Sequence, residues 1–226
     1  MKTCLVTENT LNTVWQEKLF ELGEQDLVAF GFNGMGLVSY KKELEGQSEY
    51  FHDVAKLSSA LSNVVISGCD TENYGVYRHS VVIADKGKIL GVTDMVHTID
   101  ESEFVAGYGL RVYDTSAGKI GLIVEKDLFF PEVARVLSLC DADIIICVMN
   151  ELCDGMEQVM LRAGAFSNGV TMGLVGKNYA CVSDIHGKII VASSSEIVKT
   201  QIKIEKDYRL ISCRRRGIYH EFGGGY

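Results

Sequence analysis

Proline is all but missing from this chain, which holds one, Pro131, among 226 residues, and tryptophan is equally scarce. Against an average near 5% proline, that scarcity leaves no proline-rich linker at which the chain could divide. Long apolar runs are missing too. No stretch approaches the roughly 18 apolar residues of a membrane helix, and the opening MKTCLVTENT holds too short an apolar run for a signal peptide. The seven cysteines, at 4, 69, 140, 147, 153, 181 and 213, are odd in number and never spaced Cys-x-x-Cys, which argues against a zinc ribbon and a disulfide framework. Together these absences predict a reducing, cytoplasmic setting. Five histidines (52, 79, 97, 186 and 220) show no ligand spacing, so His97, Asp94 and Glu125 give no specific metal signal. Neither a metal nor a cofactor is expected. Basic residues are outnumbered, 22 to 30, for a net charge of -8. The one basic run, Arg214 to Arg216, is short and reads as a solvated or interface patch, so neither nucleic acid nor membrane is an expected partner.

What is present is apolar sequence: 47% of the chain, enough to bury a core in a single domain over 1–226. Strands are expected at 3–7, 26–32, 63–69, 78–84, 88–93, 108–114, 119–124, 142–148, 170–176, 179–185, 188–192 and 198–204. Helical periodicity is clearest at 12–23, 50–62, 130–140 and 154–167. So many strands with helices interspersed imply two sheets with helices outside. Three turns, in VVIADKGKILGV, LRVYDTSAGKIGLIV and ACVSDIHGKIIVA, each set an aspartate ahead of Gly-Lys between apolar runs, which is good hairpin chemistry.

The most informative stretch is GKIGLIVEKDLFFPE, residues 118–132. Ile120, Leu122, Ile123 and Val124 form a short β-branched run suited to a covered central strand. Pro131 then fits the first turn of a helix, where its missing N–H costs nothing, and Glu132 suits the dipole there. Such a strand-to-helix elbow presents Glu125, Lys126 and Asp127 at the carboxyl edge of a sheet, where α/β scaffolds tend to place their sites.

This stretch resembles the nucleophile elbow of the nitrilase, or carbon-nitrogen hydrolase, superfamily, close to G-K-I-G-x-x-I-C-Y-D-x-R-F-P-E. Gly118, Lys119, Ile120, Gly121, Asp127, Leu128, Phe130, Pro131 and Glu132 fall into register. ARVLSLCDADIIIC, GEQDLVAF, YGVYRHSVVIADKGKILG, RAGAFSNGV and ACVSDIHGKIIV resemble further family segments. The resemblance implies a four-layer α-β-β-α sandwich. It also implies a Glu base, a Lys and a Cys nucleophile, often with a second Glu. Carried over by residue, the base falls on Phe32, the lysine on Met95, with His97 anchoring the register, and the cysteine on Glu125. Glu101 is the counterpart of the second Glu. The resemblance further implies that the helices near 130–140 and 154–167 face a twofold-related copy, with 214–226 reaching along the partner.

A thiolate attacking an amide gives a thioester, whereas a carboxylate would have to form an anhydride, a far less favourable intermediate. With all three positions substituted, the expectation is a non-catalytic binding, regulatory or assembly homologue. The alternatives are an active amide or nitrile hydrolase with displaced residues, Cys153 as nucleophile and Glu151 or Glu125 as base, and a carboxylate-based hydrolase acting on another bond; Cys153 also reads as a small buried hydrophobe. A small-molecule ligand would meet Glu125, Lys126, His97 and Asn150 in a mostly apolar pocket suited to an amine or cation. On helix 154–167 the stripe Met156, Val159, Met160, Ala163 and Phe166 reads as core-facing, any surplus serving the partner copy.

Overall fold

Apolar residues alternating along the strands sort themselves into three layers of core. In the computed structural model, which describes residues 1–99, 103–150, 152 and 155–214, strand β1 (Lys2–Val6) turns Leu5 one way and Cys4 and Val6 the other. Beside it β2 (Leu27–Phe30) sends Leu27 and Ala29 inward, Val28 and Phe30 outward. This period of two is what a strand buried on both faces requires. The first sheet adds β3 (Leu37–Ser39), β4 (Val64–Asn73), β5 (Val76–Asp85), β6 (Lys88–Asp94) and, from the far end of the chain, β13 (Ile197–Gln201). Its order is β13-β1-β2-β4-β5-β6, with β3 paired to β4. The second sheet runs β12-β11-β10-β9-β8-β7, from β7 (Val112–Thr115), β8 (Gly118–Val124) and β9 (Ile144–Val148) to β10 (Thr171–Gly176), β11 (Tyr179–Ser183) and β12 (Ile189–Ser193).

Between the sheets, Leu5, Leu27, Ile66 and Ile83 meet Ile120, Leu122, Ile144 and Val182. Outside the first sheet lie α4 (Tyr50–Leu61), packing Val54 and Leu57 on Val65 and Val82, and the N-terminal helical segment. That segment begins as α1 (Leu11–Thr13), passes through a π turn at Val14–Lys18 and ends as α2 (Leu19–Leu22). Outside the second sheet, α5 (Pro131–Leu139) and α6 (Met156–Asn168) cover Ile123, Ile145 and Cys147 with Val133, Leu137, Leu161 and Ala165. Two short helices complete the set, α3 (Tyr40–Leu44) and α7 (Arg209–Ser212). The four-layer α-β-β-α sandwich is therefore present, and no described helix is long and apolar enough to cross a membrane.

Three local expectations are corrected. The strand expected at 108–114 forms only over 112–115, because Tyr108 and Gly109 run exposed with nothing paired to them as strand. β3 and α3 were not expected; both are too short to announce a period. The stripe on α6 is mostly not core: Met160 packs against the core, but the helix's buried residues are Glu157, Leu161, Ala165 and Asn168, while Met156, Val159 and Phe166 are about half exposed. The aspartate turns behave as read: in the third, Asp184 Oδ1 accepts the N–H groups of His186 and Lys188, each at 2.9 Å.

Candidate functional site

The apolar run of β8 stops at Val124, and the next residue turns sharply. Glu125 has φ of 52°, a left-handed conformation that costs an ordinary L-residue about 1–2 kcal/mol. A 3-10 turn over Glu125–Phe129 follows, and Pro131 opens α5 at its first position. Asp127 holds this elbow in place. Its carboxylate is buried and accepts the N–H of Val96 at 2.8 Å, that of His97 at 2.9 Å, and His97 Nδ1–H at 2.8 Å. His97 in turn stacks on Phe130, centroids 3.9 Å apart and planes 11° from parallel. The segment after β6 is thus clipped to the elbow. Burial raises the Asp127 carboxyl above its ordinary pKa, opposed by those N–H groups and by His97.

Glu125 is 7% exposed. Its Oε1 accepts the backbone N–H of Asn150, just past the end of β9. Burial raises its pKa; the Asn150 N–H and then His79 act against that rise, Asp70 adds to it, and Lys126 opposes it least of the four. His79 therefore acts on this carboxyl more strongly than its sequence neighbour Lys126 does. His79 Nδ1 lies 2.7 Å from Asp70 Oδ1, and its ring stacks on Phe104 at 3.7 Å and 16°. Phe32 meets the same ring edge-on at 5.6 Å, and the Met95 N–H bonds to the His79 carbonyl at 2.9 Å.

The three positions matched to a catalytic set thus gather around one histidine. Phe32 and Met95 are buried in the inter-sheet core with Val124 and Val148. Asn150 reaches Glu125 through its backbone. Lys126 is half-buried, and His97 is engaged by Asp127 rather than Glu125. Glu101, Glu151 and Cys153 lie outside the described residues, as does 215–226. Concavities of the described surface open elsewhere: one of about 210 Å³ is lined by Trp15, Asp53 and Lys56, another of about 280 Å³ by Leu152, Gln158 and Tyr179. No group of three or more described His, Cys, Asp or Glu residues has the arrangement to hold a metal.

His79, Asp70 and Phe104 were not singled out from the sequence, yet a signal for the first two exists. Asn73-Tyr74-Gly75-Val76 closes the β4–β5 hairpin with positive φ at Tyr74 and Gly75, the pattern of a two-residue turn. Counting back from it places Asp70 opposite His79. Phe104 carries no such signal, since it arrives from a loop.

Comparison with known proteins agrees with the fold. The family model of the carbon-nitrogen hydrolases matches residues 13–205, and the chain belongs to that family. Among curated relatives, a Schizosaccharomyces pombe protein named "Probable nitrilase" is 26% identical over 131 residues, 55% of this chain and 48% of the relative. A citrullinase of Francisella tularensis is 31% identical over 100 residues, 40% and 35% of the two chains. The chain thus spans about half the length, or less, of the curated relatives it matches. The fold of an amidase from Nesterenkonia sp. superimposes with a TM-score of 0.79 at 16% identity, covering 95% of this chain and 93% of that one. A Saccharomyces cerevisiae member of branch 10 of the nitrilase superfamily gives 0.74 at 19%, covering 88% and 89%.

Proposed function

We propose that this chain is a carbon-nitrogen hydrolase-family domain without thiol-dependent hydrolytic activity, serving as a binding, regulatory or assembly protein and working as a symmetric homodimer. The observation that carries this reading is Glu125 at the turn of the elbow, buried and bonded to Asn150, where a nucleophile would have to stand free. Phe32 and Met95, packed into the core beside it, supply neither a base nor a charged partner. A general base is worth about 10²–10⁴ in rate and an oxyanion partner about 10²–10³. The described thiols offer no replacement. A nucleophilic cysteine needs thiolate character at neutral pH, and burial pushes Cys4 up to about 12 and Cys181 up to about 11, and raises Cys69 and Cys147 well above the ordinary thiol range. Cys140 and Cys213 are exposed, but they stand at the C-terminal ends of α5 and α7 rather than at the elbow. A structural relative, the Nesterenkonia amidase, is described with an active site cysteine; that description stays with the amidase.

The test is turnover of a panel of amides, nitriles and carbamoyl compounds, with iodoacetamide as control. No thiol-dependent activity is expected. Activity abolished both by alkylation and by Cys153→Ser would overturn the reading and favour Cys153 with Glu151.

The dimer is supported by the outward faces of α5 and α6. Val136, Leu139, Met156, Val159 and Phe166 are between 41% and 52% exposed, more apolar surface than two packed helices need to leave uncovered. Light scattering is expected to give twice the chain mass; a monomer at micromolar concentration would refute it.

A further inference from the structure

We propose that Glu125 is the resident ligand of its own site: its carboxyl group occupies a niche past the end of β9 where it meets the Asn150 N–H, and this niche takes a short unbranched carboxylic acid once the side chain is removed. The inference rests on the non-catalytic reading above, because a working nucleophile could not also be the occupant.

The geometry leads there in steps. The left-handed turn at Glu125 points its side chain back toward the end of β9, and Oε1 meets a backbone N–H there. Beyond Cα the side chain is two methylenes and a carboxylate, which is the shape of propionate. It is nearly enclosed, so an external molecule cannot share the space with it. The polar groups that act on the carboxylate are those given above. The Asn150 N–H and His79 favour the anion, Lys126 favours it weakly, and Asp70 opposes it. Asp70 is itself committed to His79 Nδ1 at 2.7 Å. The group that touches the carboxylate directly is a hydrogen-bond donor, and a donor recognises an acceptor. The niche therefore suits a carboxyl group rather than the amine or cation that its apolar neighbours suggested from the sequence, and because burial outweighs the groups that favour the anion it holds the protonated acid more readily than the ion. Removing the side chain leaves the Asn150 N–H without its partner beside a void, and unmade buried hydrogen bonds are what a small ligand restores. Branched acids should be refused, because the space vacated is that of one unbranched, nearly enclosed side chain and a close-packed interior does not widen for extra methyl groups.

The experiment uses the full chain carrying Glu125→Gly, which also relieves the left-handed backbone, with Glu125→Ala as second variant. Acetate and propionate are titrated against chloride at equal ionic strength and the melting temperature is followed. Both variants should show a saturable rise of several degrees. Wild type and Glu125→Gln should show none, and neither should pivalate or methylammonium with any protein. If neither variant folds in chloride, refolding yield becomes the readout, and it should recover in propionate. No carboxylate-specific response in either variant, an equal response in wild type, or a response to methylammonium instead would overturn the proposal. Failure of the non-catalytic reading would look different: it appears as turnover by wild type in the substrate panel, whatever these variants bind.

Discussion

Two histidine–aspartate pairs flank Glu125, and they look alike until their surroundings are compared. His97 with Asp127 and His79 with Asp70 have nearly the same separation, 2.8 Å and 2.7 Å, and each ring stacks on a phenylalanine. Asp127, however, is buried and accepts three donors, two of them backbone N–H groups from the segment after β6. Asp70 is half-buried, and its side chain has His79 as its hydrogen-bond partner, on a strand pair that β-sheet bonding already holds together. The first pair clips the segment after β6 to the elbow, alongside the stacking of His97 on Phe130; the second adjusts the charge around Glu125 inside a frame fixed by strand pairing. Similar local chemistry thus serves construction in one place and electrostatics in the other.

The largest effect that would break this comparison belongs to Asp127. Asp127→Ala leaves the N–H groups of Val96 and His97 and the His97 ring without their acceptor. We expect a loss of about 3 kcal/mol in urea unfolding, since each unmet buried donor costs about 1–3 kcal/mol. A loss below about 1 kcal/mol would show that the elbow does not depend on this clip. His79→Ala should cost less, about 1–2 kcal/mol, combining one side-chain hydrogen bond with two ring contacts. If the two variants prove equally destabilising, the division between a structural and an electrostatic pair fails.

How much of this could be read beforehand divides along the same line. Asp127, Pro131 and the β8 run are local: the residues that make the elbow lie within fifteen positions, and their types alone specify strand, turn and helix. The two-sheet sandwich was legible on a larger scale, because many short apolar strands with helices interspersed imply two sheets with helices outside, and the family resemblance implies the same four layers. What stayed hidden needed a register or a contact between distant segments. Asp70 faces His79 only once the β4–β5 turn is counted, and Phe104 reaches His79 from a loop with no period. The outward stripe on α6 was misread because apolar residues at helical spacing do not say which of two apolar faces meets the sheet. The role of Asn150 was hidden differently, since its contribution to Glu125 is a backbone N–H that any residue but proline could supply.

The smallest expected effect is also the sharpest, because its sign is fixed in advance. Burial raises the folded pKa of Glu125 above its ordinary 4.5, so the folded state holds that proton more tightly than the unfolded chain. By linkage, the stability this contributes is fully present below the unfolded value and is lost as pH rises through the folded value. Glu125→Gln cannot titrate, keeps nearly the same volume, and can still offer a carbonyl to the Asn150 N–H. The stability of wild type minus that of Glu125→Gln should therefore fall as pH rises from 4.5 and level off once the folded carboxyl has ionised. Asp127, also raised by burial, is common to both proteins and cancels to first order. Urea midpoints at a series of pH values measure the difference directly. A difference that rises with pH would mean that the Asn150 N–H and His79 outweigh desolvation, and that Glu125 is held as a stabilised anion despite its burial.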